Sequence, residues 1–376
     1  MSPFAFLIIQ IVAVAVPVGA GVAVALAPAR RGAPVGVGAL LRAGVVLFAA
    51  AAACTFVAPA FGTSAFGMIR LLYLAGVVAL PLVALAVLGA RAAKRITATR
   101  PAIALAAAAF LAAPLGFHMT FIEPFKLRVE TATLVVANDR AGSAPVTFGV
   151  FADLQCDSVG DHERAAVDLL MAQRPDVILI PGDLFQGSRT EWGAARDALR
   201  DLLRKLDAPG GVFFVVGDVD PDDVAELMRE ADIRVLDDEV VRIRVRDREV
   251  TIGGVSNRDE AVVRELERAP GAGDVRVLLC HRPDHVLGLA PDTRIDLTVA
   301  GHTHGGQIVV PGFGPPMTLS RVPRDVAAGG LHRMDGRAIY VSRGIGVEHN
   351  QAPRMRFNCV PEVSVVTVTG GGAERP

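Results

Sequence analysis

DVILIPGD, residues 176–183, is the most informative stretch of this chain of 376 residues. Its apolar run suits burial on both faces, which predicts a central strand rather than a strand with one face in solvent. Gly182-Asp183 follows directly, so a carboxylate is expected in the loop that leaves the strand. A Gly-Asp pair alone is typical of an ordinary turn, so its weight depends on the motifs around it.

Strand-like runs of the same kind recur on both sides of this stretch, separated by amphipathic segments. Besides Asp176–Pro181, strands are predicted at Val146–Phe151, Val212–Val216, Val250–Val255, Val275–Leu279 and Ile295–Ala300. Helices are predicted at Asp161–Arg174, Glu191–Leu206, Pro221–Ala231 and Asp259–Arg268, the third with Asp220 as its N-cap. This alternation predicts an α/β domain in which helices cover the faces of the sheets.

Acidic and histidine residues follow these strands in a fixed order. They are Asp153 (in Asp153-Leu154-Gln155), Asp183, Asp218 (in Gly217–Asp220), His281 (in His281–Asp284), and His302 and His304 (in Gly301–Gln307). Loops at the carboxyl ends of parallel strands meet at one edge of a sheet, so these side chains can converge. Carboxylates and imidazoles bind divalent metals, and the whole series therefore predicts a metal site.

Together these motifs resemble those of the calcineurin-like metallophosphoesterase superfamily. The run GHTHGGQ at 301–307 is similar to the motif of its membrane-associated branch. The resemblance spans about residues 130–370 and includes Tyr340–Gly344 and Pro361–Val363. It implies a four-layer sandwich of two mixed β-sheets flanked by helices.

The resemblance also implies a set of metal ligands. Asp183 would bridge two divalent ions, Asp153 and His304 would bind the first, and His281 and His302 would bind the second, with Asp218 as a further ligand. A water molecule made acidic between the two ions would attack phosphorus in line. The mixed oxygen and nitrogen ligands favour Mn, Fe or Zn, with Mg as a further option.

Three residues depart from the family pattern. Gln155 replaces a usual His and is either a weak metal ligand or a residue behind the ligands. Asp218 replaces a usual Asn and adds a negative charge. Val219 replaces the His expected to steady the transition state or protonate the leaving group, so activity biased toward activated phosphoesters is expected. His349 is the candidate catalytic replacement, against the alternative of an ordinary loop histidine. Arg343, Arg354 and Arg356 either contact a substrate phosphate or are simply solvated charges.

Residues 1–118 differ sharply in composition from the rest. They contain none of the 39 Asp and Glu residues and only eight of the 38 Lys and Arg residues. Four apolar stretches of the length of a membrane span lie at Phe4–Ala27, Ala43–Phe61, Leu71–Ala90 and Pro101–Phe117. We therefore predict a transmembrane region at 1–118, a connector with a first strand at 119–144, the metallophosphoesterase domain at 145–370 and a flexible tail at 371–376.

The basic residues predict the orientation of these spans. Arg30, Arg31 and Arg42 flank the first connection and Arg91, Lys94, Arg95 and Arg100 the third, whereas the second carries only Arg70. With the more basic connections in the cytoplasm, both chain termini and the C-terminal domain lie outside it. The Ala-rich and Arg-rich composition is typical of a GC-rich bacterial genome, and the predicted location is the bacterial cytoplasmic membrane.

The predicted function is a membrane-anchored hydrolase of phosphodiester or pyrophosphate bonds, with membrane lipids around it and an envelope lipid as a candidate substrate. The alternative is a catalytically impaired sensor or interaction module that keeps the fold and the metal. Nucleic acid is not an expected partner, because acidic residues are in excess after residue 118. The four cysteines predict small buried residues rather than a framework, with a Cys156–Cys280 bond as the alternative.

Overall fold

The chain folds into two units in a computed structural model that describes residues 2–137, 142, 144–256, 260–271 and 274–370. The first unit comprises Met1–Ile122 and His349–Arg354, and the second comprises Glu123–Glu348 and Met355–Pro376. The predicted tail at 371–376 lies outside the described residues.

The first unit is helical. Its helices are α1 (Pro3–Leu26), α2 (Val37–Val57), α3 (Ala65–Leu74), α4 (Leu80–Ala92), α5 (Arg100–Phe110) and α6 (Ala112–Phe121), with a π-helical turn at Ala75–Ala79 between α3 and α4. Ala39, Ala43, Leu47 and Ala51 of α2 are buried at four-residue intervals. Small side chains at this spacing let neighbouring helices approach closely.

The outer surface of this unit is apolar. Phe4, Val45 and Phe56 are among the large hydrophobic side chains that it exposes. Four helical segments are long and apolar enough to span a membrane: Pro3–Arg31, Val37–Phe61, Ala65–Ala92 and Arg100–Phe125. The helices begin earlier or run further than the predicted apolar stretches, because amphipathic and polar ends continue each helix beyond its most hydrophobic part.

The second unit contains two six-stranded sheets. The first has the order β1-β12-β2-β3-β4-β5 and the second β10-β11-β9-β8-β7-β6. Their strands are β1 (Arg128–Val136), β2 (Val146–Val150), β3 (Val177–Ile180), β4 (Val212–Phe214), β5 (Arg234–Val235), β6 (Glu239–Val245), β7 (Arg248–Val255), β8 (Val275–Cys280), β9 (Leu297–Ala300), β10 (Gly330–Met334), β11 (Arg337–Val341) and β12 (Glu362–Gly370). Both sheets mix parallel with antiparallel neighbours, and β12 lies between β1 and β2.

Strand β3 shows why the unit is layered. Val177 and Leu179 join the core between the sheets, whereas Ile178 and Ile180 join the core under the helices. Alternate side chains of a strand point to opposite faces, so an apolar residue at every position buries both faces. The predicted central strand is therefore confirmed.

Helices cover the outer face of each sheet. The first sheet packs against α7 (Asp161–Met171), α8 (Arg189–Leu203) and α9 (Val224–Glu230), and the second against α10 (Glu260–Arg268) and α11 (Arg324–Ala327). The order helix, sheet, sheet, helix is the predicted four-layer sandwich, and the α/β fold class is confirmed.

One local prediction is wrong. Helix α9 begins at Val224 rather than Pro221, and its N-cap position is Asp223, so Asp220 does not cap it. The prediction for the cysteines is confirmed: Cys156, Cys280 and Cys359 are buried and all four cysteines are free, so the alternative of a Cys156–Cys280 bond does not hold. Strands β5, β6 and β10 to β12 were not predicted as separate elements.

Candidate metal centre

The candidate ligands lie in loops at one edge of the sandwich, where strands of both sheets end. Strands β2, β3 and β4 of the first sheet lead to carboxylates, and strands β8 and β9 of the second sheet lead to histidines. The side chains in that order are Asp153, Asp183, Asp218, His281, His302 and His304. Parallel pairing brings the carboxyl ends of these strands to the same edge.

Asp218, His281 and His302 form one cluster of candidate ligands, with one ligand atom from each within 4.8 Å of the others. His302 Nδ1 lies 3.0 Å and His281 Nε2 lies 3.6 Å from Asp218 Oδ2. The two imidazoles approach to 3.3 Å between His302 Nδ1 and His281 Nε2. Two nitrogens and a carboxylate oxygen at this spacing suit a divalent transition metal.

Asp153, Asp183 and His281 form a second, overlapping cluster within the same 4.8 Å. His281 Nε2 lies 3.3 Å from Asp183 Oδ2, so His281 belongs to both clusters. His304 Nε2 lies 4.0 Å from Asp153 Oδ1. The fold thus brings all six predicted ligands together, while the role of each, including the bridging role of Asp183, stays a prediction.

Buried polar atoms without partners test whether these residues fit a metal. Among the described residues they include Asp153 Oδ2, Gln155 Oε1 and both ring nitrogens of His304. An unpaired buried polar atom is costly unless an ion or water satisfies it. A carboxylate oxygen, an amide oxygen and an imidazole nitrogen can each donate a lone pair, and a cation satisfies all three.

His281 is oriented for metal binding by the backbone behind it. Its Nδ1 lies 2.7 Å from the carbonyl oxygen of Pro181. A carbonyl oxygen only accepts hydrogen bonds, so Nδ1 carries the proton, which leaves the lone pair of Nε2 free to bind one ion.

The backbone at the site is strained. Five of the site residues have left-handed φ angles, with values of 48° at Asp153, 38° at Gln155, 55° at Asp183, 70° at His302 and 49° at His304. Side chains other than glycine rarely adopt this region, and such strain persists where the surrounding structure enforces it, often at functional sites.

Two glycines leave room for the carboxylates. A Cβ atom at Gly301 would lie 2.4 Å from Asp153 Oδ2, and one at Gly217 would lie 2.2 Å from Asp183 Oδ1. No ordinary side chain fits at these distances, so the carboxylates reach their places only because both neighbours lack a Cβ.

Burial and neighbouring charges shift the pKa values of Asp153, His281 and His304. Burial raises the pKa of Asp153 to about 8, against the opposing charge of His281. Burial would lower the pKa of His281, but the Asp183 and Asp218 carboxylates outweigh it and raise this pKa well above its usual value. Burial lowers the pKa of His304 well below its usual value, helped by the charge of Arg356. Buried His304 is therefore neutral and ready to donate a lone pair.

Two acidic residues at the site were missed as functional candidates. The Asp220 carboxylate accepts hydrogen bonds from the amides of Asp183, Leu184 and Gly217 at 2.7–2.9 Å, which fixes the loop that carries Asp183. Glu348 Oε2 accepts from Gln155 Nε2 at 3.3 Å. The motif Gly217–Asp220 signalled the first of these, whereas no motif marked Glu348.

The three departures from the family pattern have visible consequences. Gln155 Nε2 donates to Asp183 Oδ2 at 3.3 Å. Asp218 pairs with Arg282, whose NH2 lies 2.6 Å from Oδ2 and whose Nε donates to Oδ1 at 3.1 Å. Val219 contributes only its backbone amide, which donates to Asp183 Oδ1 at 3.0 Å.

The other candidates have different surroundings. His349 belongs to the segment grouped with the helical unit, so its catalytic role stays a prediction. Arg356 is fully buried and donates to the carbonyl oxygens of Arg343 and Gly344. Arg343 pairs with Glu362 at 2.6 Å. Both arginines hold the fold, so phosphate contact by either is not supported.

Comparisons with known proteins show which family this chain resembles in sequence. A model of the family described as calcineurin-like phosphoesterase matches residues 146–306. Phosphodiesterase YaeI of Escherichia coli (strain K12) is 30% identical over 273 residues, which cover 69% of this chain and 96% of that protein. An uncharacterized metallophosphoesterase of Aquifex aeolicus (strain VF5) is 27% identical over 277 residues, or 70% of this chain and 99% of that protein.

Among solved structures, the Thermus thermophilus sulfate thiohydrolase SoxB in complex with glycerol is similar to this chain with a TM-score of 0.38 and 14% identity. That similarity covers 60% of this chain and 56% of the other.

Proposed function

Because this chain belongs to the calcineurin-like metallophosphoesterase family, we propose that it is a membrane-anchored, metal-dependent hydrolase of phosphodiester or pyrophosphate bonds. The observation that carries the proposal is the pair of ligand clusters that share His281. Retaining six metal-binding side chains in one place, with strained backbone at four of them, has no structural purpose without a metal.

Two divalent ions are the proposed cofactors, with Mn, Fe or Zn favoured over Mg by the mixed ligands. When bound, such ions supply an activated water nucleophile and neutralise charge on the phosphoryl group. Asp153, Asp183 and His304 would hold the first ion, and Asp218, His281 and His302 the second.

The chain's own residues set what the site can do. Pro181 fixes the tautomer of His281, Asp220 fixes the loop of Asp183, and Arg282 balances the charge of Asp218. Val219 offers no proton to a leaving group. We infer a preference for leaving groups that are stable as anions, such as aryl oxides or phosphates.

Four apolar helices support a substrate at a membrane. A lipid-linked pyrophosphate of the bacterial envelope combines a membrane location with an anionic leaving group, and it is the substrate class we propose. The positive-inside distribution of basic residues supports a C-terminal domain outside the cytoplasm.

The second candidate function is a metal-binding sensor or interaction module. Val219 and Gln155 favour it, because each removes a side chain that supports turnover in the family. Both candidate functions include metal binding, but only the enzyme hydrolyses a substrate, so one hydrolysis assay separates them.

The test measures hydrolysis of an aryl phosphodiester and of a lipid pyrophosphate in vesicles by the full-length protein, with Mn²⁺ or with EDTA. Asp183→Ala is the test variant, and Asp197→Ala, an exposed carboxylate on α8, is the matched control. We expect Mn²⁺-dependent hydrolysis that falls about 100-fold or more in Asp183→Ala only. Equal rates in wild type and Asp183→Ala would exclude the enzyme, and metal binding without turnover on either substrate would establish the module.

A further inference from the structure

Unpartnered atoms are unevenly distributed between the two candidate ion sites. At the proposed site of the second ion, the ligand atoms of His281, His302 and Asp218 approach one another to 3.0–3.6 Å. At that of the first ion, Asp153 and His304 each keep a buried atom without a hydrogen-bond partner, and so does Gln155. Gln155, like the candidate ligands of the first ion, therefore has a buried polar atom without a partner, although it replaces the histidine usual in the family.

The amide of Gln155 has only one chemically sensible orientation. One side of it faces Asp183 Oδ2 and Glu348 Oε2, each 3.3 Å from the same amide atom. Carboxylate oxygens accept hydrogen bonds, so the atom between them is the NH₂ group, which has two hydrogens to give. The amide oxygen must then point away from both carboxylates, and it is the atom left buried without a partner.

Backbone hydrogen bonds hold both Gln155 and Glu348 in place. The backbone N–H of Gln155 donates to the carbonyl oxygen of Asp183 at 2.9 Å, and the φ angle of Gln155, 38°, is left-handed. Glu348 is fixed by its own backbone N–H, which donates to Gln307 Oε1 at 3.3 Å, and by a hydrogen bond from Gln186. Gln155 itself is only 1% exposed, so bulk solvent does not reach its oxygen.

We propose that Gln155 Oε1 is a ligand of the first metal ion and that Glu348 is the positioning residue that aims it. This inference rests on the proposed two-metal function. An amide oxygen is a harder and weaker donor than an imidazole nitrogen, so the first site favours Zn²⁺ over Mn²⁺ by less than the second site does. The second site, with two imidazoles, keeps the usual order in which Zn²⁺ binds more tightly than Mn²⁺.

The test is a metal titration of the full-length protein in detergent after removal of bound ions. Free Mn²⁺ is counted by electron paramagnetic resonance, and competition by Zn²⁺ is followed by elemental analysis of the protein. The variants are Gln155→Ala, Glu348→Gln and Gln155→His, with Gln173→Ala, an exposed glutamine that follows α7, as the control.

We expect two Mn²⁺ sites in wild type and in Gln173→Ala. Gln155→Ala weakens one site about 10- to 100-fold and leaves the other within about twofold, which also shows that the variant is folded. Glu348→Gln weakens the same site about tenfold, because an amide at 348 no longer dictates which end of Gln155 faces it. Gln155→His shifts that site from Mn²⁺ toward Zn²⁺ by about tenfold or more.

Other results overturn specific parts of the inference. Two sites with unchanged affinity in Gln155→Ala would remove the ligand role while leaving the proposed function intact. A loss in Gln155→Ala without any loss in Glu348→Gln would remove the positioning role. A wild-type protein that binds no Mn²⁺ would overturn the proposed function together with this inference.

Discussion

Asp218 carries a negative charge that the asparagine usual in the family lacks, and Arg282 lies directly against it. The guanidinium reaches both carboxylate oxygens, and together the two groups carry no net charge. Hydrogen bonds from His281, His302 and Arg282 outweigh burial and lower the pKa of Asp218, so the carboxylate stays ionised. A phosphate anion approaching this side therefore meets a balanced pair rather than an isolated carboxylate.

Replacing Arg282 should leave the negative charge of Asp218 unbalanced. We expect Arg282→Met to raise KM for an anionic phosphodiester about tenfold, with a smaller effect at high salt. The double variant Asp218→Asn with Arg282→Met removes both charges and should return KM toward the wild-type value. Arg321→Met, at an exposed arginine, is the control. A double variant as impaired as the single one would contradict the charge-balance explanation.

Val219, which cannot donate a proton, should slow the hydrolysis of esters with poor leaving groups. We expect Val219→His to raise kcat/KM for an alkyl phosphodiester at least about tenfold and to leave an aryl phosphodiester nearly unchanged, because only the alkoxide needs a proton. Val219→Asn, which adds polarity without a proton to transfer, controls for the change in size. A wild-type enzyme that cleaves alkyl and aryl esters equally well would show that some other group donates the proton.

Protonation of Asp153 and His281 should compete with metal. Both pKa values are raised in the metal-free fold, that of Asp153 to about 8, so both groups hold protons that an ion must displace. In the metal-free protein their stabilising contribution is complete below their unfolded pKa values, about 4 and 6.5, and is lost as pH rises through the folded ones. Asp183 and Asp218, whose pKa values are lowered, act in the opposite sense and only below about pH 4.

Mn²⁺ affinity should therefore rise from about pH 6 to about pH 8, with protons released on binding. Calorimetry in two buffers of different ionisation enthalpy measures that release, and Asp153→Asn should reduce it. Binding that releases no protons at pH 7 would show that these groups are already deprotonated before the metal arrives.

The convergence of the candidate ligands could be predicted from the sequence, but the residues that hold them in place could not. Asp153, Asp183 and the histidines follow recognisable strands, so their convergence follows from topology. Glu348 lies in a segment without regular secondary structure, and its approach to Gln155 depends on tertiary contacts that no local pattern encodes. Asp220 precedes a proline, so it was predicted to be a helix N-cap. Its carboxylate instead accepts a hydrogen bond from the backbone amide of Asp183.

Most central strands of the two sheets were predictable, whereas the edge strands β5, β6 and β10 were not. Central strands such as β3 and β8 are apolar at nearly every position, because helices or a second sheet cover both faces. Strand β6 contains Glu239, Arg242 and Arg244, and β10 contains His332 and Arg333, as expected for edges that must discourage pairing with other chains. Such strands lack the apolar signal by which the central ones are recognised.

The loop after β9 depends on a glycine for steric reasons alone. Gly301 has no left-handed φ, so alanine is tolerated by the backbone, but its Cβ would meet Asp153 Oδ2 at 2.4 Å. We expect Gly301→Ala to displace that carboxylate, weaken metal binding and lower kcat/KM about 100-fold. Gly288→Ala, where a Cβ meets nothing within 4 Å, is the control. Full metal content in Gly301→Ala would show that the loop can move aside.

The apolar helices have a predicted orientation in the membrane that reporter fusions can test. A periplasmic phosphatase reporter fused after Pro376 should be active, and a fluorescent protein fused there and exported unfolded should be dark. The same reporters inserted between Arg91 and Arg100, in the third connection, should give the opposite pair of results. Fluorescence from the fusion after Pro376 would place the domain in the cytoplasm and redirect the search for a substrate to that side.

The position of β12 has a consequence during synthesis. Until residues 362–370 have left the ribosome, the first sheet lacks β12, the strand between β1 and β2. Glu362, at the start of β12, also holds Arg343 and Tyr340, and the Glu362 amide N donates to the carbonyl oxygen of Gly344, next to Asp153. The candidate metal centre therefore cannot be complete before residues 362–370 have been synthesised, and products truncated before residue 362 would lack it.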